Sequence, residues 1–541
     1  MPRERPQGFP DGGGEDSRKP EVRSTMRFRS TRHVIPALCV ALVLPLALSA
    51  ARASTTVENR TVPSFDGTPI SYTFFSVGDG RRHPVVLMTH GWGGSRTTDP
   101  KDGTVAMLLK ARYDVLTWDS RGFGTSGGDV NVDSQEFEAR DVSALLSFAA
   151  KRPDVLLDRP GDPRAGMLGA SYAGGIQLQA AAADRRIDAI VPEWAWNDLP
   201  RSIKPEGVIK LGWDVLLYGD GVASATTAGL SSGQTGSLSP TLHQAFAEGV
   251  VLNDWTPDVL AWFNAKSPRR YIAGGVTPDG RHIKGINVPT LLVQGTKDTL
   301  FNLNEAIANY RELRPVLGDS VKMLWFCGGH SFTGTGPLVS SCEAGNSDAV
   351  INARILAWFK RYLDRDTSVN PGPQIEYQLQ GGSFRSVDAL PHTTVPIKGS
   401  ATVVNLVAPT SGQVLAAGPG NADSTRIRIA VLAGSTLLGS GRLRVTLTPT
   451  SPETFLFFKL IDTDPSGNAV VVDDQATPLK LFTTGLGQAH TLSLDLAGVA
   501  WSVAPGHTIS LEISPNSNDF SSSRIPGVSL VTVTGTLPIL P

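Results

Sequence analysis

Cysteine is scarce in this chain, with three among 541 residues. Cys39 lies in an apolar run near the start without a lipoprotein box before it, which excludes lipidation there. Charge of one sign is also missing: the formal net charge is -1 and 18% of residues are charged. No stretch of the body collects enough Lys and Arg to track phosphates, so nucleic acid and anionic membrane are set aside as partners. Long apolar runs are limited to Val34–Ala50, which Pro36 and Pro45 interrupt, so a signal sequence fits better than an anchor helix. No Gly-rich loop carries a Lys followed by Ser or Thr in Walker register, which argues against a phosphate cradle. His33, His83, His243, His282, His392, His490 and His507 show no close metal-ligand spacing, and neither a metal nor a cofactor is called for.

What is present begins with a polar stretch, 1–25, that is rich in Gly and Pro and lacks apolar periodicity. It reads as a disordered or untranslated leader. Met26 then opens a second possible start: Arg27, Arg29 and Arg32, the apolar run, and the small residues Ala51 and Ala53. This order is that of a secretory signal peptide over 26–53 with cleavage before Ser54, and it implies a secreted or extracytoplasmic protein. Removal of Cys39 leaves Cys327 and Cys342 as an even pair in an exported chain, the setting in which a disulfide persists. A bridge closing a loop of that length contributes about 3 kcal/mol on the chain-entropy account and tethers the segment around His330.

At 541 residues the chain is long enough for two or three structural units. Between 54 and 365, short apolar runs alternate with helical patterns, the signature of a mostly parallel sheet wrapped by helices. Strands are expected at 84–89, 113–118, 165–170, 188–194, 289–295 and 321–326. A helix over 135–152 sets Phe137, Val142, Leu145, Leu146 and Phe148 on one stripe behind a capping box from Asp133 to Glu136. A further helix over 346–364 closes the unit. The stretch from about 198 to 285 breaks the rhythm and carries Trp213, Trp255 and Trp262; it reads as a cap inserted over the active site. After a linker at 366–373, period-two segments recur through 374–541, at 426–432, 442–448, 454–462, 490–496, 508–514 and 528–534. They indicate a β-sandwich or jelly roll.

The strongest chemical signal is MLGASYAGG, an apolar strand running into Gly169-Ala170-Ser171-Tyr172-Ala173 and then a helix. This is a nucleophile elbow, in which a serine on a strained turn needs small neighbours and a helix N-terminus favours developing negative charge. Ala173 stands where the strict pattern has glycine. The strand at 84–89 ends in His90-Gly91-Trp92-Gly93-Gly94, where such folds place an oxyanion loop, so the backbone N–H groups of Trp92 and Tyr172 are the candidate donors. His90 reads as a structural histidine. TWDSRGFGTSGG, from Asp119 through Arg121 to Ser126, reads as a structural turn. Asp298 and His330 each follow an expected strand, giving the chain order Ser, Asp, His at the carboxyl ends of a parallel sheet. A serine hydroxyl becomes a useful nucleophile when His330 takes its proton and Asp298 fixes the imidazole tautomer. Glu193 is a second candidate for the acid.

On GASYAG around Ser171, WDSRGFGTSGG, SPRRYI (267–272) before VPTLLVQGTKD, GRLRVTLTPTSPETFLFFKLIDTDPSGN (441–468) and PGHTISLEIS (505–514), the sequence resembles the Xaa-Pro dipeptidyl-peptidase and cocaine-esterase group of bacterial serine hydrolases. That resemblance implies an α/β-hydrolase core with an inserted, mostly helical cap and a C-terminal all-β jelly roll. It also implies acyl-enzyme hydrolysis of esters or of amides after proline, with Ser171, Asp298 and His330 at the triad positions. One departure is Trp92, since cocaine-esterase members offer a tyrosine hydroxyl to the oxyanion from this loop. No anionic site for a substrate amine is assignable from the sequence. The expected function is therefore a secreted serine hydrolase acting on a small-molecule ester or peptide. The alternative is a catalytically inert surface protein that binds carbohydrate through its C-terminal sandwich.

Overall fold

The computed structural model describes residues 55–232, 237–331, 347–405 and 424–541, with the side chains of 228–232 outside that description. The expected leader, the signal segment and Cys342 lie outside the described residues. The described residues pack as one compact unit.

The first layer is a ten-stranded sheet. Its strands are β1 (Thr56–Pro63), β2 (Pro69–Ser76), β3 (Val85–Met88), β4 (Asp114–Trp118), β5 (Ala165–Ala170), β6 (Ile187–Glu193), β7 (Thr290–Gly295), β8 (Val321–Phe326), β9 (Ile375–Gln378) and β10 (Phe384–Val387). They lie in the order β1-β2-β4-β3-β5-β6-β7-β8-β9-β10, parallel from β4 to β9 and antiparallel at both edges. Strands covered on both faces need unbroken apolar runs, and all six expected strands are found to within a residue or two.

Helices cover both faces. α1 (Gly103–Lys110) and α8 (Ser347–Tyr362) pack on one, through Val105, Leu108, Trp358 and Phe359. α2 (Glu138–Ala149), α3 (Tyr172–Ala183) and α7 (Leu303–Leu317) pack on the other, through Val142, Leu145, Ile176 and Ile307. The stripe expected for α2 is buried at Val142, Leu145 and Leu146, whereas Phe137 precedes the helix and is exposed. The expected Asp133–Glu136 box does not form: the helix starts at Glu138 with Phe137 at its N-cap, and the turn before it is held by Ser134. Ser134 Oγ accepts the Phe137 N–H at 3.0 Å, and the Glu138 carboxylate accepts the Ser134 N–H at 2.8 Å. The difference follows from left-handed backbone at Val132 and Asp133, with φ 57° and 51°, which turns Asp133 into the interior.

Between β6 and β7 the chain forms a mostly helical cap of α4 (Leu211–Ser232), α5 (Pro240–Leu252) and α6 (Pro257–Asn264). Trp213 and Trp255 are buried in its own apolar cluster with Phe263 and Phe301. Among the described residues no helix is long and apolar enough to cross a membrane.

The second layer pair is a sandwich of antiparallel sheets. One holds β11 (Thr394–Asn405), β13 (Thr436–Gly439), β14 (Arg442–Pro449), β18 (His490–Asp495), β19 (Val499–Ser502) and β21 (Gly527–Leu540); the other holds β12 (Thr425–Ile429), β15 (Glu453–Thr463), β16 (Ala469–Val471), β17 (Thr477–Phe482) and β20 (Thr508–Ser514). Alternate residues such as Leu443, Val445 and Leu447 from one sheet meet Leu456, Phe458 and Leu511 from the other, the in-and-out pattern of a sandwich core. The sandwich starts later than expected. Residues 375–387 follow the linker, yet they extend the hydrolase sheet as β9 and β10.

Candidate active site

Ser171 sits between β5 and α3 at φ 62° and ψ -121°, a left-handed backbone that is strained for a side-chain-bearing residue and typical of functional turns. The turn closes tightly. Gly169 has φ 151°, and a Cβ there would stand 2.6 Å from the Ala173 methyl. The Ser171 N–H donates to the Glu193 carbonyl at 2.9 Å, which ties the elbow to the end of β6. Tyr172 opens α3, so its N–H has no intrahelical acceptor and faces outward from the positive end of the helix.

Trp92 follows β3. Its ring contacts those of Tyr172 and Phe123 at 5.4 and 5.2 Å between centroids, and its Nε1–H donates to the Leu217 carbonyl of α4 at 2.8 Å. The two candidate oxyanion residues are therefore neighbours, and the cap pins one of them. His90 is fully engaged in the loop, with Nδ1 on the Gly91 carbonyl at 2.7 Å and Nε2 accepting the Ser120 N–H at 3.0 Å. Burial holds its imidazole below the usual range. Asp119 binds Arg96 and the Thr125 N–H and hydroxyl, consistent with a structural turn.

Asp298 and His330 come together. His330 Nδ1–H donates to Asp298 Oδ2 at 2.7 Å, and the remaining oxygen, Oδ1, accepts the N–H groups of Leu300 at 3.0 Å and Phe301 at 2.6 Å. Both residues are buried. The two loops are locked to each other: Thr299 N–H and Oγ1–H donate to the His330 carbonyl at 2.8 and 3.0 Å, and Lys297 N–H donates to the Gly328 carbonyl at 2.9 Å. Gly329, at φ 119°, passes so close that a Cβ would lie 2.6 Å from that of Asp298. Rings of Trp194, Phe301 and Trp213 stand edge-on to the imidazole at 5.2, 5.4 and 5.9 Å. Trp194 directly follows the Glu193 whose carbonyl holds Ser171. The Glu193 side chain is not the partner of His330; burial pushes its carboxyl up to about 7, with Asp348 adding repulsion.

A pocket opens from Ser171 under the cap. Trp92, Trp196, Phe246, Trp255 and Phe301 supply aromatic wall. Among the described residues, Asp214 of α4 is the one carboxylate that lines it, and no Lys or Arg does. Asp214 Oδ2 is buried with no hydrogen-bond partner among the described residues, and desolvation pushes the carboxyl up to about 7. Cys327 is buried at the end of β8, its N–H on Gln378 Oε1 at 2.9 Å. Among the described residues, no group of three or more His, Cys, Asp or Glu is arranged as a metal site.

Sequence reasoning missed Asp214, Trp194 and two donors to the acid loop, Lys210 and Gln475. Lys210 Nζ donates to the Leu300 carbonyl at 2.8 Å from the start of the cap.

Comparison with known proteins agrees with this architecture. Residues 67–331 match the profile of the X-Pro dipeptidyl-peptidase (S15 family), and 430–529 match the X-Pro dipeptidyl-peptidase C-terminal non-catalytic domain. An α-amino acid ester hydrolase superposes with TM-score 0.65 at 14% identity, covering 92% of this chain and 98% of that one. A CocE/NonD family hydrolase from Staphylococcus aureus gives 0.62 at 14% identity, covering 90% and 94%. At such identities the likeness concerns the fold. An uncharacterized 31.7 kDa protein of Escherichia coli from the traX-finO intergenic region is 30% identical over 125 residues, 23% of this chain. The match spans 42% of that curated relative's length. With both family profiles matched in order, the chain belongs to the X-Pro dipeptidyl-peptidase S15 family, on an α/β-hydrolase core with a C-terminal all-β domain.

Proposed function

We propose that this protein is an exported serine hydrolase that cleaves a carboxylic ester or amide through an acyl-Ser171 intermediate. The observation that carries the reading is the buried His330–Asp298 pair beyond the ends of β7 and β8, together with a serine in a strained elbow at the end of β5. His330 Nε2 takes the Ser171 proton as Oγ bonds to the substrate carbonyl carbon. The oxyanion so formed meets the N–H groups of Trp92 and Tyr172, donors of a kind that lower the barrier by about 3 kcal/mol each. His330 then passes its proton to the departing alcohol or amine. Water, deprotonated by the same imidazole, attacks the acyl-enzyme and releases the carboxylic acid.

The cavity supports an apolar acyl group, because nearly all its described wall is aromatic or aliphatic and no described Lys or Arg lines it for an anionic substrate. Asp214 favours a second reading, release of dipeptides from Xaa-Pro peptides, since a substrate ammonium entering this cavity would meet that carboxylate. Export rests on the signal-peptide pattern ending at Ala53, and a Cys327–Cys342 disulfide belongs with it.

The test is labelling of the purified mature protein with a fluorophosphonate probe, read by intact mass. One adduct that is absent in Ser171→Ala supports the reading, and a folded wild type that takes no adduct overturns it. Turnover of acyl nitrophenyl esters against an Xaa-Pro anilide then separates ester from peptide.

A further inference from the structure

The loop that carries the acid is held from outside the hydrolase layer. Gln475 lies in the turn before β17 of the sandwich, and its Nε2 stands 3.1 Å from each of the carbonyl oxygens of Thr296, Asp298 and Asp473. A second link runs beside it: Thr296 Oγ1–H donates to Asp473 Oδ1 at 3.1 Å, while Asp473 Oδ2 accepts the Ala500 N–H at 2.8 Å. Asp473 and Gln475 are buried. Asp473 and Asp474 stand at φ 48° and 57°, a conformation that costs free energy for non-glycine residues and persists where surrounding contacts over-determine it. The turn is thus shaped around the hydrolase loop rather than by its own preferences.

The Asp298 carboxylate is tied to its own backbone through the N–H groups of Leu300 and Phe301. Its position therefore follows the path of the chain from 296 to 301, with Gln294 Nε2 a longer donor to Oδ2 at 3.4 Å. Gln475 donates to two carbonyls on that path, one of them the carbonyl of Asp298 itself. An amide NH2 has two hydrogens, and among the described residues no other side-chain donor reaches either carbonyl.

We propose that Gln475 is a positioning residue for the triad: the C-terminal sandwich, through this amide, fixes the loop that aims Asp298 at His330. The proposal rests on the serine-hydrolase reading for its kinetic consequence. A misplacement on the scale of 1 Å costs roughly 100-fold in rate, so a loss of about 10- to 100-fold in kcat is expected when the two hydrogens are removed. The cavity residues are elsewhere, so KM holds.

The experiment uses the full mature chain with Gln475→Met, which keeps side-chain length and removes the donors. Leu447→Ala, in the sandwich core away from the loop, serves as the control for lost stability. Two readouts are taken: steady-state kinetics on an acyl nitrophenyl ester, and the downfield proton resonance of the His330 Nδ1–H bonded to Asp298. The expected result is lower kcat, unchanged KM and a shifted or broadened resonance in Gln475→Met, with both wild-type in Leu447→Ala. Wild-type kcat and resonance in Gln475→Met overturn the proposal, as does equal loss in the control. Should Gln475→Met not fold, Gln475→Leu, which also removes both donors, takes its place. The resonance reports on the Asp298–His330 geometry even if Ser171 takes no probe, so failure of the serine reading and failure of this proposal give different results.

Discussion

Asp214→Asn isolates the cost of placing a carboxyl in an apolar cavity. In the folded protein burial raises the Asp214 carboxyl from 3.8 to about 7, with no neighbouring charge contributing. Between those values the folded state keeps a proton that the unfolded chain has released. Stability therefore falls as pH rises through this window, by about 1.4 kcal/mol per unit, and is level above pH 7. Over the three units the full penalty approaches roughly 4 kcal/mol, and solvent reaching the partly exposed residue reduces it to about 2–4 kcal/mol. Asparagine keeps the shape and does not ionise. The variant should approach wild type toward pH 4, exceed it in stability by about 1–2 kcal/mol at pH 5 and by about 2–4 kcal/mol at pH 8. Urea unfolding of both proteins at pH 5 and pH 8, followed by tryptophan fluorescence, measures this difference, because Trp255 lines the same cavity. A gap between variant and wild type that is the same at both pH values would refute the argument.

Two further outcomes are expected. His90→Ala leaves the Ser120 N–H buried without its acceptor and should lower stability by about 1–3 kcal/mol, while covalent labelling of Ser171 persists; loss of labelling in a folded His90→Ala protein would make His90 part of the chemistry. Reduction of the proposed Cys327–Cys342 bridge should add 2 Da to the mature protein and lower its thermal midpoint, whereas an unchanged mass under reductant would mean the bridge is absent.

Some of this molecule is legible in one sequence because single residues and short runs suffice. A parallel strand buried on both faces demands an apolar run, so AGMLGA and VKMLWF announce themselves. The elbow does too, because a strained turn leaves small residues around Ser171. Other elements depend on partners far along the chain. β9 and β10 read as the start of the sandwich because they follow the linker, yet in the fold they are sheet strands of the core, with Glu376 buried and paired with Arg354 of α8. The expected box at α2 does not form because Val132 and Asp133 take left-handed backbone, which no residue preference signals. Asp214 occupies an ordinary helical position, and its significance comes from α5 and α6 closing over it.

The same logic explains why the cap and the sandwich converge on one short segment. In an α/β-hydrolase the acid stands on a loop beyond a strand end, where the sheet supplies no hydrogen bonds to the chain. Here the cap gives Lys210 Nζ to the Leu300 carbonyl and Trp213 Nε1 to Thr299 Oγ1 at 3.0 Å, and the sandwich gives Gln475 to Thr296 and Asp298. Burial pushes the Lys210 ammonium down to about 8, and its position is retained against that cost because nearby Asp519 of the sandwich and Asp298 itself favour the charge. Buried carbonyls left without donors are expensive, so a loop this deep requires donors from somewhere. Supplying them from two separately inserted parts makes the geometry of Asp298 conditional on cap, core and sandwich being docked together, which gives selection a reason to keep the three in one chain.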